Sequence, residues 1–371
     1  MKSCILGVFL ALLFGLGGST GASAATLEEM VGQMLMIGFR GTSFNAQSPL
    51  GEALKQGHLG GVILYDVDVA RGGALRNIRS VAQVRDLTAA LQEYAARPLL
   101  IAVDEEGGQV SRLAPRLGLE KTDSAWTLGQ KDDPALTRRA GQRIGRQLRQ
   151  VGVNLDLAPV VDVNLNPSSP AIGKLGRSFG ATAKKVTRHA AAFIHGLHDT
   201  GVLSCIKHFP GHGSATADSH LGVTDITATW SATELEPYAR LVDREVPDAV
   251  MTAHVFHAGL DPAAPATVSD CIIPEMLREA IGFEGVVISD DLQMGAIREA
   301  YTLQETVRLC LQADVDILLF GNNLVYEPYI WRRVQRIVSE LVRKGRVSRE
   351  RIERSYERIL KLQSRLGVIA E

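Results

Sequence analysis

The residues with the densest chemistry form one stretch: Lys207-His208-Phe209-Pro210-Gly211-His212-Gly213, followed by Asp218-Ser219-His220. Just before it, the apolar run 202–206 breaks abruptly into Gly, Pro and ionisable residues. Such a break predicts a buried strand opening into a loop. Two chemistries suit the cluster. One is metal binding by His and Asp. The other is proton transfer, because a neighbouring carboxylate orients an imidazole and raises its pKa. Residues two apart in an extended loop point to the same side, so Asp218 can reach His220. A proton donor needs a partner, and Asp290 offers one. It ends a second apolar run, Val286-Val287-Ile288-Ser289, where a carboxylate can be held rigidly as a nucleophile. A nucleophilic carboxylate and a separate proton donor are what cleavage of a glycoside requires.

These groups need a scaffold that brings distant segments to one place. Eight short apolar runs recur, at 33–39, 61–65, 99–103, 154–161, 202–206, 249–253, 285–289 and 316–320. Each is bounded by Gly, Asp or Asn and reads as a strand buried on both faces. Between them lie segments of helical spacing, including 81–94, 134–151, 184–198, 329–343 and 348–366. Ser231 to Glu234 reads as a capping box opening a helix to about Val242. Eight βα units predict an α/β fold, a single (β/α)8 TIM barrel over residues 25–371. A doubly wound open sheet is the alternative, but no GxGxxG turn follows the first strand.

In such a barrel the active site is built at the C-terminal ends of the strands. Asp104, Glu105, Glu106 and Arg112 follow the third run; Asp162, Asn164, Asn166 and Arg177 follow the fourth. Lys207, His208, Asp218 and His220 follow the fifth, His254 and His257 the sixth, Asp290 and Asp291 the seventh, Asn322 and Asn323 the eighth. A mouth this polar, with few aromatics, suits a hydroxyl-rich ligand such as a sugar. Some of these residues have plainer readings. One of Asp290 and Asp291 caps the following turn, His254 is a structural hydrogen-bonder, His212 shapes its loop, and Asp66 and Asp68 are solvated loop charges. The Gly211-His212-Gly213 turn reads as a hinge for the segment carrying Asp218 and His220. The first strand supplies no His-x-His, so neither a catalytic metal nor any other cofactor is expected.

Composition narrows the partners. Forty Lys and Arg against 41 Asp and Glu leave a net charge of −1, which argues against nucleic acid. Residues 1–24 read as a cleavable secretory signal: Lys2, an apolar core, then Ala22-Ser23-Ala24. A periplasmic or secreted protein is expected, with no membrane contact after cleavage and a monomeric state. Cys205, Cys271 and Cys310 are widely spaced in apolar contexts and read as small core residues rather than a disulfide scaffold.

The loop motif resembles the signature of glycoside hydrolase family 3, in its β-N-acetylglucosaminidase branch. Three further segments are similar to that family in the same order: Gly32 to Phe39, Val103 to Arg112, and Val286 to Met294. The resemblance implies a TIM barrel and an exo-acting, retaining enzyme that releases GlcNAc from peptidoglycan fragments or chitooligosaccharides. It implies Asp290 as nucleophile, His220 as general acid/base and Asp218 as its partner. It implies Asp104, Arg112, Arg177, Lys207 and His208 as the grip on the non-reducing sugar. One departure stands out: Ile172-Gly173-Lys174-Leu175-Gly176-Arg177 is two residues longer than the family's usual approach to its arginine. A phosphorylase on the same fold and a non-catalytic sugar-binding barrel are the competing readings.

Overall fold

A computed structural model describes residues 25–218 and 222–366. The proposed signal segment and His220 therefore lie outside the described residues.

Eight parallel strands form the centre. We label them β1 (Leu35–Gly38), β2 (Gly61–Ile63), β3 (Leu100–Val103), β4 (Leu155–Asp156), β5 (Leu203–Phe209), β6 (Ala249–Thr252), β7 (Val286–Ile288) and β8 (Leu318–Phe320). Neighbours pair in chain order from β1 to β7, and β1 also pairs with β8. A parallel bridge between Ile288 and Ile317 joins β7 to the start of β8 and closes the ring. The fold is a (β/α)8 barrel. Every residue of these strands is buried, as expected where the inner face packs on the barrel core and the outer face on helices.

All eight predicted runs hold a strand. The helices Val81–Tyr94, Pro134–Gln150, Ala183–His198, Ile330–Arg343 and Arg349–Gln363 also match the periodicity. Two local readings change. Gln33 ends a short helix, Leu27–Gln33, opened by a Thr26–Glu29 capping box, and does not open β1. Ser231 caps its turn through the Thr233 N–H, but no capping box forms. Glu234 is fully buried and bonds elsewhere. A buried loop above it offers better-shielded donors than the helix end does.

Chain order sets the positions around the mouth. β3, β4 and β5 are adjacent, whereas β7 lies four strands from β3, directly across the barrel.

Candidate active site

β3 runs into a hairpin, Glu105–Gly107 paired with Val110–Ser111. Alternation along it decides which carboxylates reach the mouth. Glu105 turns into its own loop, where it accepts from the Ser111 hydroxyl and from the Arg112 and Leu113 N–H groups, at 2.9 and 2.8 Å. Asp104 and Glu106 face the other way, and both meet Lys207 of β5. Its Nζ lies 2.7 Å from Asp104 Oδ1 and 2.8 Å from Glu106 Oε1.

Glu106 is the hub. Arg177 grips it with two donors, Nε to Oε2 at 2.8 Å and Nη2 to Oε1 at 2.7 Å. Burial raises the Glu106 carboxyl, but Arg177 and Lys207 outweigh burial and hold it far below the usual carboxylate range. Burial likewise lowers the Lys207 ammonium, and Asp104 with Glu106 more than restores it. Glu106, Lys207 and Arg177 thus stay charged together in a largely dry setting. Arg177 Nη2 also contacts His208 Nε2 at 3.2 Å. Asp162, fully buried, accepts hydrogen bonds from His208 Nδ1 at 2.7 Å and from the His212 N–H at 2.8 Å. Arg177 donating to Nε2 places the ring proton of His208 on Nδ1.

Several of these groups line one cavity of about 390 Å3. Asp290, Asp104, Arg112, Arg177, Lys207 and His208 all stand on its wall, with Tyr65 and Asp291. Arg112 Nε is buried with no partner among the described residues, a donor available to a ligand hydroxyl. Asp290 follows β7 and is partly exposed; its Oδ1 accepts the Asp291 N–H at 2.8 Å. Asp291 is the capping member of the pair, accepting from the Gln293 and Gly321 N–H groups at 3.0 and 2.9 Å. His254 braces the same turn, bonding the Asp291 carbonyl at 3.0 Å and Thr267 at 2.8 Å. Asp218 is partly exposed in the loop after β5 and does not line the cavity. His220 lies outside the described residues. Among the described residues, Asp261, Asp270 and Cys271 could gather around a metal ion, but none of them lines the cavity.

Four expectations are corrected. Asp68 is not a solvated charge. It is buried, paired with Arg40 at 2.6 Å and Arg76 at 3.0 Å, and braces the β1–β2–β8 side. Asp66 lines the cavity. Cys271 is only half-buried, unlike Cys205 and Cys310.

The fourth correction concerns the Gly211-His212-Gly213 turn, which is an anchor rather than a hinge. It is buried, and a Cβ on Gly213 would lie 1.8 Å from the Val163 carbonyl. Glu234 Oε2 accepts the Gly213 N–H at 2.8 Å. Burial, with Asp162 nearby, pushes the Glu234 carboxyl up to about 8. The folded state therefore holds this proton more tightly than the unfolded chain does. That stabilisation is complete below the ordinary glutamate range and is lost as pH rises through about 8. Between about pH 5.5 and pH 8.5, the thermal midpoint of the native protein should fall by about 2–5 °C more than that of Glu234→Gln. Parallel curves for the two proteins would show that Glu234 is not protonated in the fold.

Glu106 and Asp162 were visible at strand ends but carried no assigned role. The signal for Glu106 was its two-residue spacing from Asp104.

Comparisons with known proteins agree with this architecture. The family model described as "Glycosyl hydrolase family 3 N terminal domain" matches residues 26–362. Beta-hexosaminidase A of Pseudoalteromonas piscicida is 30% identical over 92% of this chain, which spans 61% of that relative's length. A beta-hexosaminidase of Alkalilimnicola ehrlichii is 36% identical over 81% of this chain and 84% of its own. Among solved structures, a family 3 β-N-acetylglucosaminidase from Paenibacillus sp. superposes with a TM-score of 0.84 at 36% identity. That match covers 94% of this chain and 64% of the other.

Proposed function

This chain belongs to glycosyl hydrolase family 3, and on that premise we propose that it is an exo-acting, retaining β-N-acetylglucosaminidase. It removes the non-reducing GlcNAc from peptidoglycan fragments or chitooligosaccharides. One observation carries the reading: a single cavity joins Asp290 on one side of the mouth to the Asp104–Lys207–Glu106–Arg177–His208 chain on the other.

The chain of charges grips the terminal sugar. Asp104 accepts from its hydroxyls, while Lys207, Arg112 and Arg177 donate to others. Asp290 then attacks the anomeric carbon. The bond from Asp290 to that carbon forms as the glycosidic bond breaks, and His220 gives its proton to the departing oxygen. Water next attacks the same carbon and loses a proton to His220, which frees Asp290. Asp218 orients His220 and stabilises its charged form. The dyad assignment rests on the Asp218-Ser219-His220 sequence within the family motif. Export to the periplasm or beyond belongs to the same proposal and rests on residues 1–24; the N-terminus of exported protein decides it. The monomeric state rests on the sequence alone, and sedimentation tests it.

His220→Ala should slow cleavage of chitobiose, a poor leaving group, by about 10²–10⁴-fold, and that of an activated aryl glycoside much less. Equal losses on both substrates would rule out His220 as proton donor. Adding phosphate to the native protein should leave free GlcNAc as the product. Release of GlcNAc-1-phosphate would instead favour the phosphorylase.

A further inference from the structure

The two ends of a pyranose set its direction in the cavity. Asp290 must lie beneath the anomeric carbon, C1. C4 stands across the ring from C1, and β3 stands across the barrel from β7. C4 therefore points at the hairpin after β3 and at the loop that leads to Arg177. In a 1,4-linked chain the next sugar would be attached there. Whatever closes the cavity on that side decides whether only a terminal sugar can enter.

Gln109 and Leu175 line the cavity on that side, and both also line a separate hollow of about 520 Å3 behind it. They are the partition between the two spaces. Gln109 is exposed at the hairpin turn, whereas Leu175 is half-buried. Leu175 shares its part of the wall with Arg112 and Arg177. Its side chain has no hydrogen bond to offer a sugar hydroxyl, so what it adds to the wall is bulk.

Its loop holds that bulk in place. The Lys174 N–H donates to the Ser169 carbonyl at 2.9 Å, and the Gly176 N–H to the Gly173 carbonyl at 3.0 Å. The Gly176 carbonyl in turn accepts the Trp126 N–H at 3.0 Å. Gly176 takes a left-handed conformation, φ 64°, and a Cβ on Gly173 would lie 2.4 Å from the Pro167 carbonyl oxygen. The turn is thus packed on both sides of Leu175. It belongs to the same segment, 172–177, that is longer than the family pattern.

We infer that Leu175 is the residue that restricts this site to terminal sugars: its side chain occupies the path that a substituent on O4 would take. Exclusion by a clash needs no attractive contact with the proper substrate. The inference rests on the glycosidase reading above and assigns its exo action to one side chain. Leu175→Gly removes the isobutyl group, joins the cavity to the hollow, and lets a disaccharide enter from its non-reducing side. The bonds made and broken are those of the native reaction; only the transferred glycosyl group is larger.

Two aryl glycosides test this, one of GlcNAc and one of chitobiose, with products followed from the first turnovers. The native protein should release the aryl group at once from the first. From the second it should do so only after a lag, because the terminal GlcNAc must leave first. Leu175→Gly should release intact chitobiose and the aryl group together, without a lag, at an initial rate about tenfold or more above the native one. Leu175→Ala should show a smaller gain, and Leu175→Met, of similar volume, should keep the lag. The thermal midpoint reports folding, and Leu175→Ala decides if the glycine variant is unfolded. Direct release of chitobiose by the native protein overturns the inference, and so does a lag that persists in the folded small-residue variants. Failure of the native protein to cleave either glycoside would instead defeat the glycosidase reading. Calorimetry with an aryl β-N-acetylglucosaminide bearing a benzyl ether on O4 then judges Leu175 alone. Leu175→Gly should bind it about tenfold or more tighter than the native protein, and equal binding overturns the inference.

Discussion

Asp290→Asn is expected to lower kcat on an aryl β-N-acetylglucosaminide by roughly 10⁴-fold or more, with thermal stability unchanged. The amide cannot form the glycosyl ester, so the first chemical step has no nucleophile. Stability should hold because the fold leans on the neighbouring residue. Asp291 accepts the Gln293 and Gly321 N–H groups, and the Asn amide keeps an Oδ1 that can accept the Asp291 N–H as the carboxylate does. Asp291→Ala should show the converse signature, a lower thermal midpoint that accompanies any loss of activity. Turnover of Asp290→Asn within tenfold of the native protein would remove Asp290 from the nucleophile's role.

Glu106→Ala is expected to be the most damaging single change to the site that touches neither the nucleophile nor the proton donor. It strips the shared counter-charge from Lys207 and Arg177 at once. Removing one partner from a buried ion pair costs about 3–5 kcal/mol, because the remaining charge is left in a medium that solvates it poorly. Lys207 keeps Asp104, so its loss is partial, but Arg177 loses both of its carboxylate bonds. Denaturant unfolding should show the full cost, and KM should rise because two sugar-gripping cations lose their fixed positions. Asp104→Asn provides the contrast. Asp104 is more exposed than Glu106, so KM should rise with a smaller loss of stability. If Glu106→Ala unfolds at the native denaturant midpoint, the network does not hold the site together.

The eight strands were legible in the sequence, and so were five long helices. Short continuous apolar runs stopped by Gly, Asp or Asn leave few other ways to bury their backbone. The residues at the strand ends were legible for the same reason: once a barrel is granted, chain order puts them at one mouth. Asp104, Arg112, Arg177, Lys207, His208 and Asp290 could therefore be named before their neighbours were known.

What each charge does there was not legible. Asp66, Asp68, Glu106, Asp162 and Glu234 look alike in a sequence as carboxylates in or near loops. Asp68 proved to be a buried brace between two arginines, and Glu106 the hub of the sugar grip. Glu234, which matched a helix cap, proved to be the pin beneath the Gly211-His212-Gly213 turn. Whether a carboxylate is solvated, paired or protonated depends on what surrounds it, and those surroundings come from segments remote in the chain, as in the pairing of Lys207 with Asp104 across 103 residues.

The sequence by itself determined the barrel, its order and the chemical types gathered at its mouth. These follow from local hydrophobic pattern and connectivity. Only the tertiary structure decided which charges compensate one another and that the turn after β5 is clamped. Those outcomes depend on distances between segments remote in the chain, and on how far packing excludes water from each.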